Sequence, residues 1–392
     1  MQVFFSVGEP SGDLHASALV RELQRQHPGI ECAGFGGPLM AEAGCQIDFQ
    51  LTDLAVMGLL EIPPMIGKFW RVYQQAANLF DQRRPDVVVL VDFPGFNWWV
   101  AQAAKRRGIP VVYYLPPQMW AWAPWRIHKL RRLVDHVLCC LPFEYDWYHQ
   151  RGVSSEFVGH PFFDETSQRK LDPGFLAACK QQAEAGQRLV AVLPGSRNRE
   201  VHNNFPLQCE VMRRVLQQVP NARFLVASFK ESQRAWCANH LRENNIDLPV
   251  ELHLGRTPEI IEAAETCLMV SGSVSLEVLA RCTPSVVLYN INPVSWLLSF
   301  LLLRCPHISL PNMMAGRLVM PEFGPRGKRP TDTAAMSNIL SEWLNSPLAH
   351  RTRVGEMAEL CVKFAQPGAT SRAANAILSQ VEVSEVALRR AA

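Results

Sequence analysis

Short runs of apolar residues recur along the chain, and each is followed by a small-residue turn and a longer amphipathic stretch. The runs 2–7, 87–91, 189–193 and 267–270 are almost continuously apolar, which is typical of strands buried on both faces of a parallel sheet. The stretches after them repeat their apolar positions with the period of a helix. This alternation predicts an α/β fold.

The strand and helix pattern begins twice, once at the N-terminus and again at Leu189. A chain of 392 residues is also too long for one compact core. We therefore predict two Rossmann-like domains that face each other across a cleft, joined by the charged, proline-containing segment 160–172. The expected division is 1–165, 166–350 and 351–392, and the last part forms helices that pack back on the first domain or on a partner.

Composition narrows the possible functions. The net charge is only +3, so no strong overall field recruits nucleic acid. The 11 cysteines include no Cys-x-x-Cys pair, which indicates neither a zinc site nor a disulfide framework and fits a reduced cytosol. The N-terminus has no basic segment, and the longest apolar segment, 294–303, is about half the length that spans a bilayer. We expect a cytoplasmic protein that can lie on a membrane but does not cross it.

Two turns in the second half have the composition of anion-binding loops. In Pro194-Gly195-Ser196-Arg197, Gly195 allows the backbone to approach a phosphate, Ser196 adds a hydroxyl, and Arg197 offers a planar fork of donors. The alternative for this turn is an ordinary strand-to-helix connection with a surface arginine. The second turn is Ser271-Gly272-Ser273, and two such loops in one domain favour nucleotide binding.

Polar residues beyond the second turn extend this candidate nucleotide site. Glu277 lies one helical turn after it, where a carboxylate can accept hydrogen bonds from ribose hydroxyls. Asn312 and Arg317 are either further members of the site or a turn asparagine and a surface arginine.

The first apolar run leads into Gly8-Glu9-Pro10-Ser11-Gly12-Asp13. This turn is not Gly-x-Gly-x-x-Gly, so a nicotinamide cofactor is not indicated. Glu9 and Asp13 repel phosphate but suit sugar hydroxyls, which makes the segment a candidate acceptor-sugar site. The candidates within it are Gly8, Glu9, Ser11, Gly12 and Asp13. His15 is either a general base or a packing or capping histidine.

Asp92 directly follows the apolar run 87–91, at the end of a strand where α/β sheets bind their ligands. Burying an unpaired carboxylate is costly. This acid therefore either caps the next helix or removes a proton from a substrate hydroxyl.

Aromatic residues are concentrated in two other segments. Trp120 and Trp122 lie in a proline-rich loop, where they either stack on a sugar or acyl chain or pack in the core. A predicted helix near residue 65 has an aromatic face that either packs inward or dips into lipid, with Lys68 and Arg71 at headgroup depth. The residues of that face are Met65, Ile66, Phe69, Trp70 and Tyr73.

In their order and spacing, these blocks resemble the lipid-A-disaccharide synthase family over nearly the whole chain. The stretches that carry the resemblance are Gly8-Glu9-Pro10-Ser11-Gly12-Asp13, Asp92-Phe93-Pro94-Gly95-Phe96-Asn97, Trp120-Ala121-Trp122, Leu193-Pro194-Gly195-Ser196-Arg197, Ser271-Gly272-Ser273 and Ser309-Leu310-Pro311-Asn312. The resemblance implies a glycosyltransferase B fold, the donor UDP-2,3-diacylglucosamine and the acceptor 2,3-diacylglucosamine 1-phosphate. It also implies that Asp92 is the essential carboxylate and that Arg197 contacts the donor.

The resemblance further implies peripheral attachment to the inner face of the inner membrane through the helix near Met65 to Tyr73, and a homodimer with exchanged C-terminal segments. Two departures limit the transfer. Gly95 stands where some members have a second acid, so that acid's role is not carried over. The residues after Arg317 also differ from the family pattern, which leaves the C-terminal exchange open.

The reaction implied by the resemblance is a single inversion. Asp92 removes the proton of the acceptor 6-hydroxyl while Arg197, Ser196 and the backbone of Ser271 to Ser273 hold the departing UDP. This mechanism needs neither a metal nor another cofactor. Two other functions stay open: a related UDP-sugar enzyme, such as a murein-precursor transferase or a UDP-sugar 2-epimerase, and a non-catalytic lipid-binding relative.

Overall fold

The computed structural model describes residues 1–54, 62–290, 305–324 and 332–391. Side chains are described from residue 66 in the helix that begins at Ile62, and up to residue 382 in the last helix. The apolar segment 294–303 and the side chain of Met65 therefore lie outside the described residues.

The strands and helices follow one another in regular alternation. The strands are β1 (Gln2–Val7), β2 (Glu31–Gly36), β3 (Gln46–Gln50), β4 (Val87–Val91), β5 (Val111–Tyr114), β6 (His136–Cys139), β7 (Ser155–Phe157), β8 (Arg188–Leu193), β9 (Ala222–Ser228), β10 (Val250–Leu254), β11 (Thr266–Val270), β12 (Ser285–Leu288) and β13 (Glu322–Phe323). The α-helices are α1 (Pro10–Gln26), α2 (Pro38–Glu42), α3 (Ile62–Arg83), α4 (Pro94–Lys105), α5 (Ile127–Leu133), α6 (Pro142–His149), α7 (Pro161–Gln168), α8 (Pro173–Glu184), α9 (Asn198–Gln218), α10 (Glu231–Glu243), α11 (Thr257–Ala263), α12 (Val274–Ala280), α13 (Leu310–Ala315), α14 (Thr333–Asn345), α15 (Pro347–Phe364) and α16 (Ala369–Ala391).

The chain forms two compact units. The first contains residues 1–164 together with 367–392, and the second contains 165–366. From the sequence, we expected the C-terminal helices that pack back on the first domain to start at residue 351. Instead, α15 packs against α12 and α14 within the second unit. The return to the first unit begins at Pro367.

The first unit is built on a parallel sheet with the strand order β3-β2-β1-β4-β5-β6-β7. The chain leaves β1 toward β2 on one side, and β4 begins the run toward β7 on the other. The carboxyl ends of β1 and β4 therefore form the topological switch point, where open α/β sheets bind their ligands.

Both faces of this sheet are covered by helices. Phe4 and Leu90 pack toward Phe80 of α3 on one face, and Phe5 packs in the cluster that contains Ile377 of α16 on the other. Because strand side chains alternate between the two faces, β4 is fully apolar and β1 is apolar except for Gln2 and Ser6, as is typical of central parallel strands. The C-terminal helix thus completes the core of the first unit.

One buried acid fixes the beginning of α16. The carboxylate of Asp164 accepts hydrogen bonds from the backbone N–H groups of Gly368, Ala369 and Thr370, at 2.5, 3.2 and 2.8 Å. These groups have no partner inside the helix, so a carboxylate at the helix N-terminus satisfies them and interacts favourably with the helix dipole.

The second unit repeats the same architecture, with the parallel strand order β10-β9-β8-β11-β12-β13. Its switch point lies between β8 and β11. One face of the sheet packs on α9 and α14 through Phe205, Phe224 and Trp343. The turns after β8 and β11 therefore leave the sheet side by side, as the sequence pattern predicted.

Prolines lie within two helices of the second unit. α9 begins at Asn198 and accommodates Pro206 in its interior. α13 begins at Leu310, with Pro311 in its first turn, where proline is tolerated.

We predict that Asp164→Ala loosens α16 while the rest of the fold persists. Leaving buried helix N–H groups without an acceptor costs about 1–3 kcal/mol. Amide hydrogen exchange in residues 369–382 should therefore become roughly 5- to 150-fold faster. The control is Glu42→Ala, which removes an exposed acid from the same unit. Equal protection of α16 in both variants would show that Asp164 does not hold this helix.

Candidate functional site

The turn after β1 and the turn after β4 lie side by side at the switch point of the first sheet. Val7 pairs with Val91 at the carboxyl ends of the two strands. Gly8 and Glu9 follow one strand, and Asp92 and Phe93 follow the other. The structure thus brings together two residues of the predicted sugar site and the predicted base.

The backbone at Asp92 is held in an unusual conformation. Asp92 and Phe93 have φ values of +46° and +45°, in the left-handed region that L-residues other than asparagine and aspartate rarely occupy. The carbonyl oxygen of Asp92 accepts hydrogen bonds from Asn97 Nδ2 and from the Tyr113 hydroxyl, both at 2.7 Å. Such strain persists only where the surroundings enforce it, and it is concentrated at functional sites.

Asn97 is the residue that joins the two strand ends. Its side chain is fully buried. Its Oδ1 accepts a hydrogen bond from the Ser6 hydroxyl at 2.7 Å, and its Nδ2 also donates toward the backbone carbonyl of Ser6 at 3.2 Å. Because the same amide group reaches Asp92, one side chain sets the relative position of β1 and the loop after β4.

The side chain of Asp92 does not cap the helix that follows it. The N-cap of α4 is Phe93, and no side chain caps this helix. Burial first of all, and then the nearby charge of Glu9, raise the pKa of Asp92 to about 6, while the backbone N–H of Phe93 opposes this shift. The structure therefore contradicts the helix-cap alternative, and the role of Asp92 as a proton acceptor stays a prediction.

Two glycines of the first loop serve packing. A Cβ at Gly8 would lie 2.1 Å from the ring of Phe93, so only glycine lets the two loops approach this closely. A Cβ at Gly12 would lie 3.0 Å from Val7, which places Gly12 against the first strand. Ser11 is exposed at the start of α1 and remains available to a ligand.

Asp13, predicted to bind sugar hydroxyls, has a structural role instead. It is 2% exposed. Its two carboxylate oxygens accept from the backbone N–H groups of Gly37, Leu39 and Met40, at 3.0, 3.0 and 3.2 Å. These groups form the beginning of α2. The acid therefore stabilises a helix N-terminus, and we remove it from the acceptor site.

His15 packs beside another histidine. Its ring lies edge to face with that of His160, with 6.0 Å between ring centroids. Burial lowers the pKa of His15 to about 4, so its neutral form is a weak base. This geometry supports the packing alternative.

The tryptophans of the loop before α5 have different environments. The Trp120 indole N–H donates to Glu144 at 2.9 Å, and its ring meets Phe143 edge to face. Trp122 is 41% exposed, and the guanidinium of Arg126 lies 4.3 Å from its ring centroid. Trp122 and Arg126 thus present a flat apolar surface beside a cation.

The aromatic face of α3 is divided between the core and the surface. Phe69 and Tyr73 pack against the core of the first unit, whereas Ile66 and Trp70 are 54% and 51% exposed. The Phe69 ring lies 6.4 Å from that of Phe93. The helix therefore contacts the Asp92 loop, and only part of its predicted lipid face is exposed.

The loop after β8 in the second unit has the geometry of an anion-binding turn, but the carboxylate of Glu200 already binds its N–H groups. Gly195 has a φ of +127°. Glu200 Oε2 accepts from the backbone N–H groups of Ser196 and Arg197, at 3.0 and 3.2 Å. Glu200 Oε1 accepts from the Arg197 guanidinium at 3.1 Å. The donors expected to bind a phosphate thus already bind an acid.

The second loop of this unit is more open. Gly272 and Ser273 are exposed, and a Cβ at Gly272 would meet no atom within 4 Å. The Ser271 hydroxyl donates to the carbonyl of Ile308 at 3.0 Å. The hydroxyl of Ser271 therefore supports the loop. The carbonyls of Gly272 and Ser273 accept hydrogen bonds from Ser275 and Leu276 at the start of α12.

Two residues predicted to bind the nucleotide, Glu277 and Asn312, are buried. Glu277 is 3% exposed, and its Oε1 pairs with Arg169 and Arg281 at 3.3 and 3.2 Å. Burial raises the pKa of Glu277, and the two arginines oppose that shift. A ribose contact by Glu277 remains a proposal.

Asn312 was predicted to extend the nucleotide site, and the structure corrects that prediction. It is fully buried; its Oδ1 accepts from the backbone N–H groups of Val319 and Met320, and its Nδ2 donates to Met320 and Glu322. Its amide is occupied by the fold, so it does not bind the donor. Arg317 is exposed beside Glu356, with 3.6 Å between the charged atoms.

Three residues that shape the site were not predicted from the sequence. Tyr113 and Asn97 hold the Asp92 carbonyl, and Glu200 fills the loop after β8. Asn97 lies inside a stretch that carried the family resemblance, so its position was visible but its contacts were not. Within the described part of the chain, no group of three or more histidine, cysteine or acidic residues is arranged to hold a metal ion.

We predict that Asp92→Asn raises stability at neutral pH. Folding raises the pKa of this carboxyl from 3.8 to about 6, so its stabilising contribution is complete below pH ~4 and is lost as pH rises through ~6. The amide avoids that loss and should increase the free energy of unfolding by about 3 kcal/mol at pH 8, with no gain at pH 4.

Urea denaturation at pH 4 and pH 8 measures this difference, with Asp53→Asn as an exposed control. A variant that is less stable than the wild type at pH 8 would contradict the desolvation of Asp92.

Comparison with known proteins gives a consistent result over most of the chain. A family model described as lipid-A-disaccharide synthetase matches residues 3–356. A lipid-A-disaccharide synthase of Anaeromyxobacter dehalogenans is 35% identical over 379 residues, covering 96% of this chain and 97% of the relative.

Solved structures of low sequence identity share the fold. The S. aureus MnaA structure with UDP has a TM-score of 0.65 at 12% identity and covers 96% of this chain and 95% of its own. The glycotransferase of kitacinnamycin has a TM-score of 0.61 at 16% identity, with 97% and 98% covered. This likeness confirms the predicted α/β fold of the glycosyltransferase B type. Among the described residues, no helix combines the length and the apolar character that crossing a bilayer requires.

Proposed function

The chain belongs to the lipid-A-disaccharide synthetase family and is a glycosyltransferase, and we propose that it joins 2,3-diacylglucosamine, delivered as its UDP derivative, to the 6-hydroxyl of 2,3-diacylglucosamine 1-phosphate. The products are the disaccharide 1-phosphate and UDP. The observation that carries the proposal is Asp92, a partly buried carboxyl with a pKa of about 6 at the switch point of the first sheet.

Asp92 is the proposed general base. A base works best when its pKa lies near the working pH, because it is then ionised and still holds a proton well. Desolvation brings Asp92 close to that condition. In the transfer, the acceptor oxygen forms a bond to the anomeric carbon as the bond to the diphosphate breaks, and the acceptor proton passes to Asp92. One displacement inverts the anomeric configuration.

The loops after β8 and β11 are the proposed site of the donor diphosphate. Glu200 supports this assignment, since it shows that the backbone N–H groups of Ser196 and Arg197 point to one place and bind an anion there. The Arg197 side chain is 81% exposed, so it can turn from Glu200 to the departing diphosphate. These donors stabilise the charge that develops on the leaving group.

The surroundings of Asp92 support an acylated acceptor. Phe69 of α3 contacts Phe93 next to the proposed base, and Ile66 and Trp70 extend the apolar surface into solvent. Trp122 with Arg126 offers a ring and a cation for a sugar and its phosphate. Exposed apolar residues flanked by Lys68 and Arg71 also suit a membrane surface.

Peripheral attachment to the inner face of the cytoplasmic membrane is therefore part of the proposal. The proposal also includes a homodimer, which is supported by the family resemblance alone.

We predict that Asp92→Asn lowers kcat for disaccharide formation about 100- to 10,000-fold, because general-base catalysis typically contributes that much. The affinity for UDP should stay unchanged, since the donor loops belong to the other unit. In the wild type, kcat/KM should fall about tenfold for each pH unit below ~6. Steady-state assays and UDP titration calorimetry measure these quantities, with Asp53→Asn as the control. Near-normal turnover in Asp92→Asn would remove Asp92 from the mechanism.

We predict that UDP is released from UDP-2,3-diacylglucosamine only when the acylated 1-phosphate acceptor is present. Mass spectrometry should find one disaccharide 1-phosphate for each UDP. A 2-epimerase changes the donor without an acceptor, and a non-catalytic lipid-binding protein forms neither product. UDP release or donor epimerisation in the absence of the acceptor would contradict the proposed reaction.

A further inference from the structure

Two cysteines are in contact where the end of α12 packs against α15. The Sγ atoms of Cys282 and Cys361 are 3.7 Å apart, and both residues are partly exposed. They are separated by 79 positions in the sequence, so it is the packing of the second unit that brings them together. Neither residue belongs to the proposed catalytic or donor sites.

The two sulfur atoms are held at the same helix end. Cys282 has a φ of +53°, a left-handed conformation of the kind that terminates helices. Its backbone N–H donates to the carbonyl of Leu279, the residue before the last one of α12, at 2.9 Å. The Cys361 thiol donates to the same carbonyl, with 2.8 Å between sulfur and oxygen. Backbone and thiol contacts to one residue thus fix the pair.

The separation of the two sulfur atoms is short enough for a disulfide to form. A sulfur–sulfur bond is about 2.0 Å long, so each sulfur atom has to move by less than about 1 Å. A rotation of roughly 30° about a Cα–Cβ bond moves a sulfur atom that far at a modest energetic cost. The helices themselves do not have to separate or slide.

The contact makes Cys282 the more reactive member of the pair. When Cys282 ionises, the Cys361 thiol can turn from the Leu279 carbonyl to the sulfur anion. This hydrogen bond lowers the pKa of Cys282 below its usual value, while burial opposes the shift. The thiolate is the form that attacks an oxidant. Cys282 is therefore the expected point of attack.

The other cysteines are poorly placed to compete. All 11 lie in the described part of the chain, and eight of them are buried. Burial raises the pKa of these eight thiols, so they react slowly. Cys305 is the third partly exposed cysteine, which makes it the natural control.

We propose that Cys282 and Cys361 form a site of reversible oxidation, at which a hydroperoxide converts two thiols into a disulfide between the end of α12 and α15. The Cys282 thiolate first attacks one peroxide oxygen. The sulfur–oxygen bond forms as the oxygen–oxygen bond breaks, which gives a sulfenic acid and hydroxide.

The second thiol completes the reaction. The sulfur of Cys361 attacks that of Cys282, the sulfur–oxygen bond breaks, and the departing hydroxide takes up the Cys361 proton as water. The first hydroxide takes up the proton that Cys282 released. In total, two thiols and one hydrogen peroxide give one disulfide and two waters, and two electrons pass from sulfur to oxygen.

The disulfide has a direct consequence for the second unit. It closes a long loop and restricts the unfolded chain, which stabilises the folded unit. In a reducing compartment the pair stays as two thiols, because cellular thiols reverse the reaction. The cross-link therefore forms when peroxide exceeds the supply of reducing thiols.

The test treats the purified, folded chain with an equimolar amount of hydrogen peroxide at neutral pH. The protein should lose two thiols and two hydrogen atoms, and peptide mapping by mass spectrometry without reductant should find Cys282 joined to Cys361. Dithiothreitol should reverse both changes. In urea, the unfolding equilibrium constant of the oxidised second unit should be about 30- to 900-fold smaller than that of the reduced one, the usual effect of one disulfide.

Serine variants separate the roles of the two thiols. In Cys361→Ser, the sulfenic acid of Cys282 should persist and be trapped by dimedone, because no second thiol consumes it. In Cys282→Ser, Cys361 should form no trapped sulfenic acid. Neither variant should gain stability on oxidation. Cys305→Ser is the matched control, and it should form the cross-link as the wild type does.

Two results overturn the proposal. If Cys282 and Cys361 stay reduced, or are oxidised no faster than Cys305, the pair is not an oxidation site. If peroxide converts Cys282 to a sulfenic acid that persists in the wild type, the contact with Cys361 does not close to a disulfide.

Discussion

The geometry of the first unit's site depends on one buried amide, that of Asn97, which connects the ends of two paired parallel strands. Asn97 bonds both to Ser6 at the end of β1 and to the carbonyl of Asp92 after β4. Because Ser6 belongs to β1 and Asp92 directly follows β4, these bonds help to hold the left-handed backbone at Asp92. The carboxylate is consequently placed at the strand edge in a desolvated position, and its raised pKa follows from that placement.

Carboxylate side chains have two different roles in this structure. Asp164, Asp13 and Glu200 accept backbone N–H groups at the beginnings of helices or turns, which is where a carboxylate is stabilised by the helix dipole. Among the residues that the structure describes, the Asp92 carboxylate has no such partners beyond one backbone N–H of its own turn, and it lies near a second acid, Glu9. The same residue type is thus a structural ligand where N–H groups converge and a proton acceptor where they do not.

Much of this could be predicted from local sequence. The strands, the switch-point turns and Asp92 at the end of β4 follow from periodicity and from the rule that ligands bind beyond the carboxyl ends of parallel strands. The functions of Asp13 and Asn312 could not be predicted in this way. Asp13 lies within the candidate loop, but its partners start at Gly37 and are supplied by the packing of a different helix. Asn312 likewise depends on a turn near Met320. Local patterns identify residues that can do chemistry, and tertiary contacts decide which of them are already engaged.

The central claim is that the fold desolvates Asp92 enough to make it a base near neutral pH. Its most direct test is a titration of aspartate carboxyl carbons by nuclear magnetic resonance in the wild type and in Asp92→Asn. One carboxyl should titrate near pH 6 in the wild type, and its resonance should be missing from the asparagine variant. Titration of every aspartate below pH ~5 in the folded wild type, as for ordinary solvated carboxyls, would contradict it.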